Sequence, residues 1–142
     1  MSWLDDRKAE TVELERRKSL ILAEAEGIYE SLWKQINEFV NEAKGKGFSV
    51  DTNGSPLKRV VSLLVNPQTD QRWSQAETLH VELAQDRRSI TATGRGGHLH
   101  MDIDIRDDNV VFLKIDGKAV AMRDAAIKIL DRFLFPQLPQ RY

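Results

Sequence analysis

The first third of the chain carries apolar side chains at helical spacing. From Leu14 to Ala43 they recur at steps of three, four or seven residues, which predicts an amphipathic helix over residues 3 to about 44. The glycines at 45 and 47 are a typical end signal, because glycine readily adopts the left-handed conformation that closes a helix. A helix this long measures about 60 Å at 1.5 Å per residue.

The two parts of this predicted helix differ in composition. Residues 5–18 are nearly all charged, whereas residues 20–43 carry the broad apolar stripe. We expect residues 20–43 to cover the core, because their large apolar side chains have no other evident partner. Residues 1–19 carry few apolar side chains that need burial in the core. Two interpretations remain open for them: a frayed, solvated end or a self-association segment.

Beyond residue 47 the apolar spacing changes from helical to alternating, which is typical of strands. Residues 48–56 are turn-rich and are interpreted as a connection, and residues 66–77 are interpreted as a polar loop. The pattern predicts strands at 57–65, 78–84, 89–94, 98–106 and 110–115, and a short return strand at 118–121.

The end of the chain predicts a hairpin and a second helix. Asp116-Gly117 is a strong signal for a type I′ turn. An apolar stripe then predicts a helix at about 122–134, which Pro136 stops. Residues 136–142 are interpreted as a tail.

Turn positions alone suggest a register for the central strands. Two-residue loops at 86–87 and 96–97 and a three-residue loop at 107–109 place Leu83 opposite Ile90, Ile90 opposite Ile103, and Ile103 opposite Leu113. All of these residues then share one apolar face, which needs a cover.

The two amphipathic helices can supply that cover. We therefore predict one α+β domain over residues 1–142, with a long N-terminal helix, an antiparallel meander of about five strands and a C-terminal helix. Both helices pack on one face of the sheet, which gives two layers.

The opposite sheet face is predicted to be polar and open. Its side chains are the candidate binding residues of this sequence: His80, Glu82, Thr91, Thr93, His98, His100, Asp102, Asp104, Phe112 and Lys114. His98 and His100 point the same way from one strand and are candidate ligands for a transition metal. A small metal-dependent enzyme is therefore the alternative hypothesis.

Three features of the predicted sheet weigh against a metal there. Thr93 lies between His80 and His100, which puts the two strands about 10 Å apart. Asp102 is expected to form a cross-strand ion pair with Lys114. A histidine pair spaced two apart also arises by chance in any alternating strand. The preferred prediction is therefore no metal and no cofactor, and we assign no catalytic residue.

Composition narrows the choice of partner. Net charge is −1, so no basic excess points to nucleic acid, and no apolar run approaches the roughly 20 residues of a membrane helix. The chain has no cysteine, and its start lacks a signal-peptide pattern, so we expect a cytoplasmic protein.

Together these features favour a non-enzymatic protein-binding or assembly module, similar to an adaptor or chaperone domain only in a generic way. Its surfaces would be the open sheet face, which could hold a protein or peptide, and the long N-terminal helix, through which the chain could form a homo-oligomer. A plain solvated sheet face remains an equal alternative, since scattered surface apolar residues are normal.

Overall fold

A computed structural model describes residues 2–55, 58–66, 71–94, 97–136 and 138. Most of the predicted tail at 136–142 lies outside the described residues. The same holds for residues 67–70 of the predicted polar loop.

Helix α1 spans Trp3–Gly45, in agreement with the predicted span of 3 to about 44. The Ser2 hydroxyl caps it by accepting a hydrogen bond from the Asp5 amide, 3.2 Å away. At the other end the amides of Gly47 and Phe48 donate to carbonyls inside the last turn, and Gly47 has a φ of 95°. This is the Schellman arrangement that the glycine signal predicts.

Seven strands follow α1 and form one antiparallel sheet in chain order. They are β1 (Ser49–Gly54), β2 (Lys58–Asn66), β3 (Gln71–Leu83), β4 (Ser89–Gly94), β5 (Gly97–Ile105), β6 (Val111–Ile115) and β7 (Lys118–Val120). Helix α2 (Met122–Leu134) completes the fold, and both helices contact the sheet. The predicted two-layer α+β architecture is confirmed.

The sheet has seven strands rather than the predicted five and a short return strand, because β1 was interpreted as part of a connection; a second segment interpreted as a loop lengthens β3. Residues 49–54 of the expected connection form β1, and residues 71–77 of the expected polar loop extend β3. Polar composition misled the prediction in both places, since pairing with β2 supplies the backbone hydrogen bonds that these residues need. Gly54 still makes a turn, with a φ of 130° and Lys58 backbone too close for any side chain.

The register is confirmed on either side of β4 and β5 but is wrong between them. Leu83 pairs with Ile90 and Ile103 pairs with Leu113, as predicted. Ile90, however, pairs with Met101 rather than Ile103, because Gly94 pairs with Gly97. The pairing is therefore shifted by two residues from the prediction, which leaves every side chain on its predicted face. Residue 96 of the predicted loop lies outside the described residues.

Two further turns agree with their predicted geometry. Asp116 and Gly117 have φ values of 52° and 79°, as a type I′ turn requires. Arg106 and Val110 close the three-residue loop, in which Asn109 has a φ of 65°.

One core lies between the helices and the inner sheet face. Strands β3 to β6 contribute alternate residues to it, including the fully buried Val81, Ile90, Met101 and Leu113. The buried residues of α1 begin only at the middle of the helix: Ile21, Ala25, Tyr29, Leu32, Ile36, Val40 and Ala43. Leu14 and Leu22, which the apolar pattern placed on the stripe, are each about half exposed, at 50% and 53%.

No helix within the described part of the chain is both long enough and apolar enough to span a membrane.

Candidate functional site

The open sheet face comprises the outward side chains of β3 to β6 that the sequence singled out. The structure brings all of them to one surface: His80, Glu82, Thr91, Thr93, His98, His100, Asp102, Asp104, Phe112 and Lys114. Most are exposed, and Thr91, Asp104, Phe112 and Lys114 are half-buried. The helices lie on the other side, so this face has no cover within the described chain.

The two-residue shift between β4 and β5 changes which side chains meet. Thr93 lies opposite His98, and Thr91 lies opposite His100, instead of the predicted pairs of Thr93 with His100 and Thr91 with Asp102. The Thr93 hydroxyl is 3.1 Å from His98 Nδ1. His80 Nε2 is 3.2 Å from the Thr78 hydroxyl on its own strand.

The expected ion pair of Asp102 with Lys114 is wrong, because Lys114 pairs with a different carboxylate. Lys114 is the strand partner of Asp102, but its ammonium pairs diagonally with Asp104, at 3.0 Å from Oδ2. Asp102 instead lies 3.0 Å from His100 Nε2. Long lysine side chains reach diagonal neighbours easily, so the register alone did not decide the partner.

Asp104 is the carboxylate of this face whose pKa is clearly shifted. The Ile105 amide donates to it at 2.8 Å, and Lys114 adds a second hydrogen bond. These contacts, in that order, lower the pKa of Asp104 below its ordinary value. A carboxylate held ionised in this way binds a cation or an amide well but is a poor proton donor.

The histidine pair does not extend to a larger ligand set. Among the residues that the structure describes, no group of three or more histidine, aspartate or glutamate side chains is placed to hold a metal ion. His98 and His100 have Thr93 and Asp102 as their respective neighbours. The metal-dependent enzyme thus stays an alternative prediction with two candidate ligands, His98 and His100.

The apolar part of the open face lies at one end of β6. Phe112 is half-buried, and the Arg106 guanidinium lies 5.8 Å from the centre of its ring. Val110, two residues earlier in the chain, is 43% exposed. This patch is small, and single exposed apolar residues are common on soluble proteins.

A second candidate surface is the free end of α1. We call residues 3–20 the arm, because they precede Ile21, the first buried residue of the helix. At 1.5 Å per residue the arm is about 27 Å long. It carries four exposed apolar side chains, Trp3, Leu4, Val12 and Leu14, with exposed fractions from 50% to 75%.

Contacts along α1 show where the arm separates from the rest of the domain, which we call the body. Moving towards the N-terminus, Lys44 pairs with Asp51 of β1, Glu30 with Arg59 of β2, and Glu26 with Arg87 after β3. Arg17 then pairs with Asp107 after β5, and Arg16 donates to Asn109 beside it. The helix therefore crosses the sheet in strand order. Arg16 is the first arm residue for which a side-chain contact with the body is seen within the described chain.

Charged pairs support the helical conformation of the arm without the body. Arg7 pairs with Glu10, and Glu13 pairs with both Arg16 and Arg17. Hydrogen bonds from these two arginines, Arg16 first, lower the pKa of Glu13 to about 2. Pairs of this spacing give an isolated helix a small local stabilisation.

A largely buried arginine that holds α1 to the sheet was not identified from the sequence; its side chain is 12% exposed. Arg59 lies on the inner face of β2, with its guanidinium 5.1 Å from the ring centre of Tyr29 and 5.5 Å from that of Trp33. Its Nη2 binds Glu30, and its Nη1 is buried without a partner among the described residues. The signal was present: Arg59 alternates with the buried Val61, and the two aromatic residues lie one helical turn apart.

An apolar groove between the two helices was also missed. It has a volume of about 350 Å³, and the main side chains that line it are Phe39, Ala43, Phe48, Leu130, Leu134 and Phe135. The Phe48 and Phe135 rings meet edge to face there, with centres 6.0 Å apart. It forms only where α1 and α2 meet, so no sequence pattern identifies it.

Comparison with known proteins adds no family to this description, since no protein-family model, no curated protein and no solved structure matches the chain.

Proposed function

We propose that this protein is a non-enzymatic protein-binding and assembly module. Its main contact surface is the arm of α1, and its second surface is the open sheet face. The proposed location is the cytoplasm, an expectation that rests on composition alone. A protein or peptide is the proposed class of partner, because the surfaces combine apolar side chains with mixed charges.

The distribution of exposed apolar side chains carries this proposal. Among the residues whose side chains are described, seven large hydrophobic residues are exposed, and five of them lie in the first 22 residues. Trp3 is the most exposed, at 75%. Single exposed apolar residues need no explanation, but a concentration of them on one segment is typical of a protein contact. Tryptophan is also among the residues most enriched at the centres of interfaces.

The charged pairs of the arm do not remove the need for a partner. They account for a helix that persists in water, because they stabilise it locally. They do not account for Trp3, Leu4 and Leu14, which charged residues could replace without loss of helix propensity. A helix that is formed before binding also loses less conformational entropy on association, which favours affinity.

The open sheet face ranks second because an antiparallel sheet with one solvated face is ordinary. Its polar side chains largely satisfy one another, as the pairs of Lys114 with Asp104 and of Asp102 with His100 show. Phe112 and Val110 are the side chains on this face that a partner could bury.

Site-specific photocross-linking in living cells tests the proposal. A benzophenone amino acid is placed at position 12 on the arm and, separately, at position 82 on the open face. Position 34, which is exposed on the far side of α1, serves as the matched control. Because benzophenone reacts only with groups in contact, we expect covalent protein adducts at position 12 that are absent at position 34.

The outcomes separate the two surfaces. Adducts at position 12 alone support the arm and exclude the open face, whereas adducts at both support the full proposal. No adduct above the control at either position would refute a protein-binding role for this chain.

A further inference from the structure

Asn53 and Gly54 end strand β1, and we propose that Asn53 is a site of spontaneous deamidation, with the Gly54 amide as the nucleophile and water as the co-reactant. This site is separate from the arm and from the open sheet face, so it does not rest on the proposed binding function. Glycine after asparagine hinders the cyclisation least, because no Cβ stands beside the attacking nitrogen.

Asn53 differs from the other four asparagines of the chain in the residue that follows it. Asn37 and Asn41 precede glutamates and Asn109 precedes a valine, whose side chains crowd the amide nitrogen. Asn66 precedes a proline, which has no amide proton to lose. Asn37 and Asn41 also lie inside α1, where helical hydrogen bonds hold the amides that follow them. Asn53 is therefore the asparagine whose neighbour is suited to ring closure.

The edge position of β1 keeps the Gly54 amide out of the sheet's hydrogen bonds. Strand β1 is the first of the sheet and pairs only with β2 within the described chain. The Ser55 amide donates to the Lys58 carbonyl, 2.9 Å away. Because successive residues of a strand point their amides in opposite directions, the Gly54 amide faces the open edge. There it donates to the Asn53 side-chain oxygen, Oδ1, at 2.7 Å.

This contact brings the reacting atoms of the two residues together. Asn53 Oδ1 is bonded to Cγ, so the Gly54 nitrogen that contacts Oδ1 lies close to the carbon that it attacks. Both residues are exposed, so water and hydroxide reach them. The pair thus combines an unhindered nucleophile, a nearby carbonyl carbon and access for solvent.

The reaction balances with water alone. Hydroxide removes the Gly54 amide proton, the nitrogen forms a bond to Asn53 Cγ, and the bond from Cγ to Nδ2 breaks. Nδ2 leaves as ammonia, and a cyclic succinimide remains. Water then opens the ring at either carbonyl carbon, which gives aspartate or isoaspartate at position 53. Either product adds one negative charge, so the net charge changes from −1 to −2.

Isoaspartate should disturb β1 more than aspartate does, because it inserts an extra methylene group into the backbone. Position 53 pairs with Val60, and Gly54 pairs with Arg59. The two strands approach closely here, since a Cβ added at Gly54 would lie 2.7 Å from the Arg59 Cα. The inserted group therefore disrupts strand pairing beside Arg59, the residue that holds α1 to the sheet.

Peptide mapping of the aged full chain tests the site. Purified protein is incubated in mildly alkaline buffer, and trypsin then releases residues 47–58, in which Asn53 is the one asparagine. We expect this peptide to gain about 1 Da with time, because a carboxyl group replaces the amide. The peptides that carry Asn37, Asn41 and Asn109 are internal controls and should keep their mass. A sample digested without incubation corrects for reaction during digestion.

Two variants assign the change to position 53. Asn53→Gln lengthens the side chain and so disfavours ring closure; it should abolish the shift of the aged protein towards the acidic forms on ion exchange. The matched control, Asn109→Gln, should leave that shift intact. An isoaspartate-specific methyltransferase then identifies the route, because ring opening gives isoaspartate, whereas direct hydrolysis gives aspartate alone.

A parallel incubation in guanidinium chloride separates the chemistry of the pair from the effect of the fold. We expect residues 47–58 to deamidate in the folded protein as well as in the denaturant. Reaction in the denaturant with none in the folded protein would show that β1 protects Asn53, and would overturn the proposal. Aspartate without isoaspartate in the folded protein would rule out attack by the Gly54 amide.

Discussion

Removal of one hydroxyl group, in Tyr29→Phe, tests how α1 is held across the sheet. The Tyr29 hydroxyl donates a hydrogen bond to the Val81 carbonyl, and the side chain is only 1% exposed. Loss of a single hydrogen bond of this kind costs about 0.5–1.5 kcal/mol of unfolding free energy near neutral pH. The aromatic ring remains beside Arg59, so packing should change little.

The same hydroxyl makes stability depend on alkaline pH. Burial raises the pKa of Tyr29 from 10.0 to about 12, and the charge of Arg59 only partly offsets this effect. Because the pKa is higher in the folded state, the protonated hydroxyl contributes stability that is fully present below pH 10 and is lost as pH rises towards 12. Two pKa units correspond to about 2.7 kcal/mol.

The unaltered protein and Tyr29→Phe should therefore differ in their pH profiles. Near neutral pH the variant is about 1 kcal/mol less stable to unfolding than the unaltered protein. Its stability does not fall at alkaline pH through ionisation of residue 29. By pH 11 the unaltered protein should have lost about 1.4 kcal/mol through this group, so the two stabilities should cross near that pH.

Urea denaturation followed by circular dichroism measures this difference from about pH 8 to about pH 11.5. Lysines and the second tyrosine titrate in both proteins, so their effects cancel in the comparison. Parallel stability curves over this range would refute the buried, hydrogen-bonded state of Tyr29 and with it this attachment of the helix.

Three further predictions concern the core, the open face and the arm. Leu32→Ala removes a side chain that is fully buried in α1 and should cost about 2–5 kcal/mol in the same urea assay; a cost near zero would show that α1 does not cover the sheet. His98→Ala with His100→Ala should change stability by no more than about 0.5 kcal/mol per site, whereas a loss of several kcal/mol together with loss of a stoichiometric metal would restore the metal-site alternative. Deletion of residues 1–16 should leave a folded domain with a cooperative thermal transition, and an unfolded product would show that this segment belongs to the core.

The sequence predicted those elements whose signals are local. Both helices end within about two residues of their predicted bounds, because caps and apolar spacing act over a single turn. Strands β1 and the first half of β3 were missed, because pairing with β2, and not apolar alternation, holds these polar residues extended.

Alternation also explains why the open face was predicted correctly while its contacts were not. A period of two determines which face a residue occupies, so a shift of two between β4 and β5 left all the face assignments intact. It changed every cross-strand neighbour between β4 and β5, including those of His98 and His100. Two registers that differ by two residues place the same side chains on each face, so the apolar pattern does not distinguish them. The geometry of the hairpin decides between them.

The most direct test of the central claim, that a protein covers the arm, is the reactivity of a cysteine at position 12 inside the cell. The chain has no native cysteine, so Val12→Cys and a control at position 34 each provide a single thiol for a membrane-permeable maleimide. We predict that position 12 reacts readily in dilute purified protein but is protected in living cells, while position 34 reacts equally in both. Equal reactivity of position 12 in both settings would contradict it.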